Sequence, residues 1–264
     1  METIRIGSLD VSKFIIGGNP LSGFSHLTSE LDVEMRHFFT TAQIKRLLRD
    51  AESLGINTVM ARADHHIIRV LMEYWDEGGG LQWFAQTCPE LGAIERGVEN
   101  AIKGKASACY VHGGVTDNLL ANGKLGEAAA AIDMIRAAGM PAGMAGHNPG
   151  VFRWAEEHLD VDFYMCCYYN PSSRVVSPES SSGKNECFND EDRDAMVETI
   201  AGLSKPVIHY KVLAAGRKTP EEAFAFVAKH LRPSDGVCVG VYDGQKPDML
   251  REDVEIFQQS LAPR

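Results

Sequence analysis

Short runs of uninterrupted apolar residues recur along the chain at 14–17, 56–60, 83–87, 108–112, 141–145, 163–167, 206–210 and 236–240. Continuous rather than alternating apolarity marks strands covered on both faces, as in a parallel sheet. Between the runs lie helical patterns. Ile44, Leu47, Leu48, Ala51 and Leu54 fall at helical spacing and stop at Gly55, a residue suited to a helix C-terminus. The Ala-rich stretch 128–135 runs out at Gly139. Thr219-Pro220-Glu221-Glu222 supplies an N-cap, a proline at the first helical position and a glutamate three residues after the cap. Residues 249–257 form a last amphipathic segment. Glu156-Glu157 and Asp190-Glu191-Asp192 read as solvated helix starts favoured by the helix dipole.

Eight strand-helix units in one chain predict a (β/α)₈ barrel occupying 1–264 as a single domain. The competing doubly wound sheet binds dinucleotides through a Gly-rich turn after its first strand. Gly17-Gly18-Asn19-Pro20 breaks that pattern, and no Walker A sequence is present. Segment 170–189, rich in Ser, Pro and Asn, follows the sixth strand. It is a surface loop or an active-site lid, and its place on the catalytic side of a barrel favours the lid.

Composition narrows the partners. A net charge of −10 lacks the concentrated positive charge that nucleic acid or an anionic membrane requires. No uncharged stretch is long enough to span a bilayer, and the N-terminus lacks the pattern of a signal peptide. The expectation is a cytoplasmic protein with a small-molecule substrate, its oligomeric state left open. The six cysteines show no CxxC or CxxH spacing, so they read as reduced, mostly buried thiols.

Ile6-Gly7-Ser8-Leu9-Asp10-Val11-Ser12 followed by Phe14-Ile15-Ile16-Gly17-Gly18 resembles the hairpin and first strand of the aldo-keto reductases. Ser53-Leu54-Gly55-Ile56-Asn57-Thr58 resembles that family's passage into the second strand. Tyr210-Lys211-Val212-Leu213-Ala214-Ala215-Gly216 is similar to its seventh strand and loop, and Val239-Gly240 with Leu250-Arg251-Glu252-Asp253 to its last strand and helix. The resemblance implies the family's barrel. It also implies hydride transfer from a nicotinamide cofactor by an Asp, Tyr, Lys and His tetrad, and there this chain departs. The Asp position falls on Met60, the Tyr position on His65 and the Lys position near Thr87, while His112 alone matches. A register shift of four would place Asp64 at the Asp position. Of the cofactor contacts, Ser-Asn becomes His147-Asn148, the strand-six Gln becomes Cys166, and Tyr210 matches the residue stacking on the nicotinamide. Tyr242-Asp243 stands where the family holds the 2′-phosphate. An aspartate there repels phosphate, with Lys246 as partial compensation, so NADP is disfavoured.

Barrel chemistry sits at the C-terminal strand ends, and four of the nine histidines (His65, His66, His112, His147) fall there. Neutral imidazoles converging on a point bind Zn²⁺, Mn²⁺ or Fe²⁺. His65, His112 and His147 are the candidate ligands, with Asp64 or Asp243 as carboxylate partner. Without metal the same histidines serve as general acid and base. His66 reads as structural, and His26, His37, His158 and His230 as surface or interface residues. Asn19, Asn148, Asn170, Tyr210 and Asp243 are candidate substrate contacts, and Tyr169 joins the catalytic candidates, with one of Tyr168 and Tyr169 packing outward. Lys211 is a salt-bridged barrel lysine or, if desolvated, a Schiff-base former. Alternation sets Tyr210 opposite His209 and Lys211; only a bulge would bring all three inside. Lyase, isomerase or hydrolase chemistry on a sugar-like or keto substrate leads the readings. A divergent NAD(P)H-dependent reductase and a non-catalytic binding barrel are the alternatives.

Overall fold

The computed structural model describes residues 1–179 and 186–262, so residues 180–185 of the expected lid lie outside the described residues. β1 (Thr3–Ile6) and β2 (Leu9–Ser12) form an antiparallel hairpin. β3 (Phe14–Gly17), β4 (Thr58–Arg62), β5 (Gln82–Gln86), β6 (Ala108–Val111), β7 (Ala142–Gly146), β8 (Phe163–Cys167), β9 (Val207–Tyr210) and β10 (Gly236–Gly240) follow. These eight pair in parallel and in chain order, and β10 closes the barrel onto β3. Each begins and ends within two residues of an apolar run in the sequence.

The outer ring comprises α1 (Ser29–Phe38), α2 (Thr41–Ser53), α3 (His65–Asp76), α4 (Ile94–Lys103), α5 (Gly113–Ala121), α6 (Ala129–Ala137), α7 (Pro149–His158), α8 (Asp190–Ala201), α9 (Pro220–His230) and α10 (Met249–Leu261). The caps read from the sequence form as expected. Thr219 accepts a hydrogen bond from Glu222 N at the head of α9, and α2 gives way to Gly55 at φ +80°. Asp190-Glu191-Asp192 does start α8. Glu156 and Glu157 instead occupy the last turn of α7, because Asn148 caps that helix and Pro149 opens it a full two turns earlier. Glu156 there accepts hydrogen bonds from Ser204.

Two apolar layers form. Strand residues facing outward, such as Val59, Trp83, Met144 and Val207, pack with Leu48, Val70, Ile132 and Phe152 of the helices. Inside the barrel, Ile15, Met60, Phe84, Tyr110, Phe163, Met165 and Ile208 fill the lower layers. The hairpin residues Ile4, Ile6 and Val11 close that end like a plug. Gly143 makes room for Phe163, since a Cβ there would stand 2.3 Å from the ring. The opposite end, where the strands finish, stays open.

His209 faces the helices, as alternation from Tyr210 requires. It joins a wholly buried polar network: Tyr168 Oη lies 2.9 Å from His209 Nδ1, and His209 Nε2 lies 3.3 Å from Asp235. Asp235 also accepts from Val207 N at 2.9 Å and from Arg232 at 2.7 Å. Burial pushes the Asp235 carboxyl up, but hydrogen bonds from His209 and Arg232 outweigh it and hold the pKa at about 2. A depressed carboxylate pKa contributes stability above the unfolded value and loses it as pH falls toward the folded one. Asp235→Ala is therefore expected to cost about 3 kcal/mol at neutral pH. Urea unfolding should show the gap to wild type narrowing as pH drops from about 4 toward 2.

Candidate active site

A cavity of about 470 Å³ opens at the C-terminal end of the barrel. Met60, Gln86, Tyr110, Met165 and Cys238 form its floor, and Asn19, His26, Tyr210 and Lys211 stand in its walls. A shallower depression of about 630 Å³ between α7 and α8 lies away from the strand ends and carries no comparable cluster.

The polar wall is organised by Asp117, a buried residue on α5. Its carboxylate accepts from His147 N at 3.0 Å, from Asn148 N at 3.0 Å and from His147 Nδ1 at 2.6 Å. A proton on Nδ1 leaves Nε2 facing Tyr210, whose hydroxyl is 3.3 Å away. Gly113 allows this approach of α5, because a Cβ there would lie 2.9 Å from the Tyr210 hydroxyl and 3.2 Å from the His147 ring. Burial pulls the His147 pKa down, yet Cys167 and Asp117 outweigh it and raise the pKa above the ordinary value. The imidazolium form is thus favoured beside a phenol that burial keeps protonated. Cys167 ends β8 in register with Tyr210 on β9 and completes the cluster.

Lys211 settles the conflict between alternation and site. Its φ of +55°, one residue past β9, ends the strand geometry. Tyr210 and Lys211 therefore both line the cavity while His209 stays outside it. Among the described residues Lys211 forms no salt bridge; two carboxylates act on it, Glu186 and Asp117, which pair with His26 and His147. Desolvation lowers its pKa.

His112 caps α5, its Nδ1 accepting from Gly114 N at 3.1 Å. Burial and the nearby cations His147 and Arg62 hold its pKa well below the usual range, so it is a neutral ring with the proton on Nε2. His26 is not a surface residue. It lines the cavity with Nε2 3.3 Å from Asn19 Nδ2 and Nδ1 3.2 Å from Glu186. Burial first, and Lys211 second, lower its pKa to about 4.

Other expected site residues go elsewhere. His65 is exposed on the first turn of α3, and Asp64 caps that helix through Ile67 N at 2.9 Å. His65, His112 and His147 are not brought together. Among the described residues no group of three or more His, Cys, Asp or Glu is placed to hold a metal ion. The donor set expected for Zn²⁺, Mn²⁺ or Fe²⁺ thus does not fit, for want of a third converging ligand. Asn148 is spent on capping α7 through Gly150 N at 2.8 Å. Tyr169 packs on Phe188 with ring centroids 5.3 Å apart, and its hydroxyl is buried without a hydrogen-bond partner. Tyr168 packs outward on Phe226, so neither tyrosine of the pair lines the cavity. Asn170 is exposed. Asp243 turns onto Arg46 at 2.6 Å and also lies outside the lining. Of the tetrad positions, Met60 lies in the floor and Thr87 accepts from His112 N at 3.0 Å.

Asp117, Cys167, His26 and Glu186 were not foreseen. Asp117 is the one with a usable signal: it sits three residues after His112-Gly113-Gly114, one turn into α5.

No family model matches the chain, and no curated protein does. Solved structures do. One described as a putative aldo-keto reductase from Pseudomonas aeruginosa superposes with a TM-score of 0.65 at 18% identity, covering 98% of this chain and 95% of that one. The holo form of an aldo-keto reductase from Bacillus halodurans gives 0.60 at 11% identity over 100% and 98%. A truncated 3-deoxy-D-arabino-heptulosonate 7-phosphate synthase from Thermotoga maritima gives 0.59 at 12% over 97% and 90%. Such likenesses show the fold: a (β/α)₈ barrel similar to those of the aldo-keto reductases. Among the described residues no helix is long and apolar enough to cross a membrane.

The pKa directions make a spectroscopic prediction. In long-range ¹H–¹⁵N spectra, His147 should titrate above a free imidazole, and Asp117→Asn should bring its pKa down. His26 should stay neutral until pH approaches about 4.

Proposed function

We propose that this barrel is a small-molecule isomerase or lyase that moves protons beside the carbonyl of a sugar-like or keto substrate. The chain Asp117–His147–Tyr210, ending in the wall of the cavity, carries this reading. A phenol backed by a proton-rich imidazole donates to a carbonyl oxygen as negative charge develops there. Asp117 fixes the imidazole tautomer, so the proton is replaced from Nε2 without reorientation. Beside this acid pole, the desolvated Lys211 is the basic pole that takes the proton from the adjoining carbon. Gln86, Asn19 and His26 supply hydrogen bonds for the hydroxyls of a polyol chain.

A second reading, reduction by a nicotinamide cofactor, is favoured by the shape of the cavity. Its outer part continues past Arg217 and Lys218 to Lys246 and Met249. Asp243, neutralised on Arg46, does not oppose a phosphate there. The cofactor would supply hydride, with Tyr210 beside the ring and Arg217, Lys218 and Lys246 toward the phosphates.

The two readings separate in one set of measurements. Proton NMR in D₂O, with a panel of hydroxyketones and aldoses, should show exchange at the carbon next to the carbonyl. Tyr210→Phe and His147→Gln should each slow it by about 100-fold or more. Absence of exchange across the panel, with saturable binding of NADPH seen in its fluorescence, would replace the first reading by the second.

A further inference from the structure

The lysine in this cavity is placed for more than proton transfer. Its backbone sits at φ +55°, in the left-handed region that residues other than glycine rarely adopt. That turn is what carries the side chain off the strand's alternation and into the cavity wall. Phe188 roofs it, with the ammonium nitrogen 5.9 Å from the ring centre. Glu186 and Asp117, the carboxylates acting on it, are engaged by histidines. The neighbouring residue in sequence, Tyr210, presents its hydroxyl to His147. An amine, a proton donor and a backing imidazole thus meet at one wall.

Resting on the carbonyl reading above, we infer that Lys211 is a nucleophile that forms a Schiff base with a short α-hydroxy aldehyde or ketone. The free amine adds to the carbonyl carbon, forming a C–N bond. The π electron pair moves to oxygen, which takes a proton from Tyr210, and His147 restores that proton. The nitrogen, positively charged after addition, returns one proton to the Tyr210–His147 pair. Its lone pair then forms the C=N bond as the C–O bond breaks, and the departing oxygen leaves as water after taking a proton from that pair. Overall one free amine, one carbonyl and one proton from the pair give one iminium and one water. The iminium withdraws electrons from the adjoining C–H or C–C bond, which is the activation that an isomerase or an aldol-type lyase needs. Asn19, Gln86 and His26, polar groups in the same walls, are suited to the flanking hydroxyls.

The test uses the whole protein with dihydroxyacetone or glyceraldehyde as probe and borohydride as trap. Intact-mass analysis should show one adduct, equal to the probe less one oxygen atom, and peptide mapping should place it on Lys211. Lys211→Met and Lys211→Arg should lose it. The peptide map of wild type decides the matter even if a variant fails to fold. Adducts spread over surface lysines, with Lys211 unmodified, would overturn the Schiff base. If carbon-bound proton exchange continued in that case, the acid–base reading would survive and only the covalent step would fall. Absence of both adduct and exchange would remove both.

Discussion

A carboxylate withdrawn from water must be met by donors, and Asp117 is met by three N–H groups on two consecutive residues of one turn. That requirement ties α5 to the β7–α7 turn and leaves His147 a single orientation. The neighbouring features follow from it. Gly113 and Gly114 are small because the first turn of α5 must lie against the His147 ring, the Tyr210 hydroxyl and Pro178. His147 is held proton-rich, and Tyr210 finds its partner at the one open nitrogen. The apolar barrel below, plugged by the hairpin, provides the low-dielectric surroundings in which such a charge pair has influence.

The site is a group of titratable side chains pushed in opposite directions. Burial acts on all of them, but at His147 the nearby Cys167 and the Asp117 carboxylate together override it. His112 and His26 are driven toward neutrality, and Lys211 is made easier to deprotonate. Groups whose proton affinities are separated by their surroundings are what the proposed proton transfer requires. The aldo-keto reductase likeness explains the frame and not this arrangement. His65, expected at the rim, is exposed on α3, whereas Tyr210 lines the cavity.

The barrel was legible in the sequence because its strands are covered on both faces, and continuous apolar runs show this directly. Tyr210, Lys211, His147 and Asn19 were legible because strand ends are where barrels place their chemistry. Asp117 carried only the weak signal of its place just after His112-Gly113-Gly114, because a carboxylate in mid-helix ordinarily faces solvent and its burial comes from contact with the distant β7–α7 turn. Cys167 was hidden among apolar neighbours, as its burial dictates. The three-histidine metal set failed for the opposite reason. Spacing places His65 near the rim, but the Asp64 cap commits it to the outer face of α3. Lys211 shows where alternation stops being a guide: one left-handed residue reverses the side to which its side chain points.

The role of Tyr210 is open to a direct binding measurement with a small hydroxamate, a stable mimic of the enediolate that proton removal beside a carbonyl would generate. Calorimetric titration should show it binding the wild-type protein and binding Tyr210→Phe at least tenfold more weakly, because the phenol donates to the charged oxygen. Equal affinity for the two proteins would contradict the assignment of Tyr210, backed by His147 and Asp117, as the proton donor of this barrel.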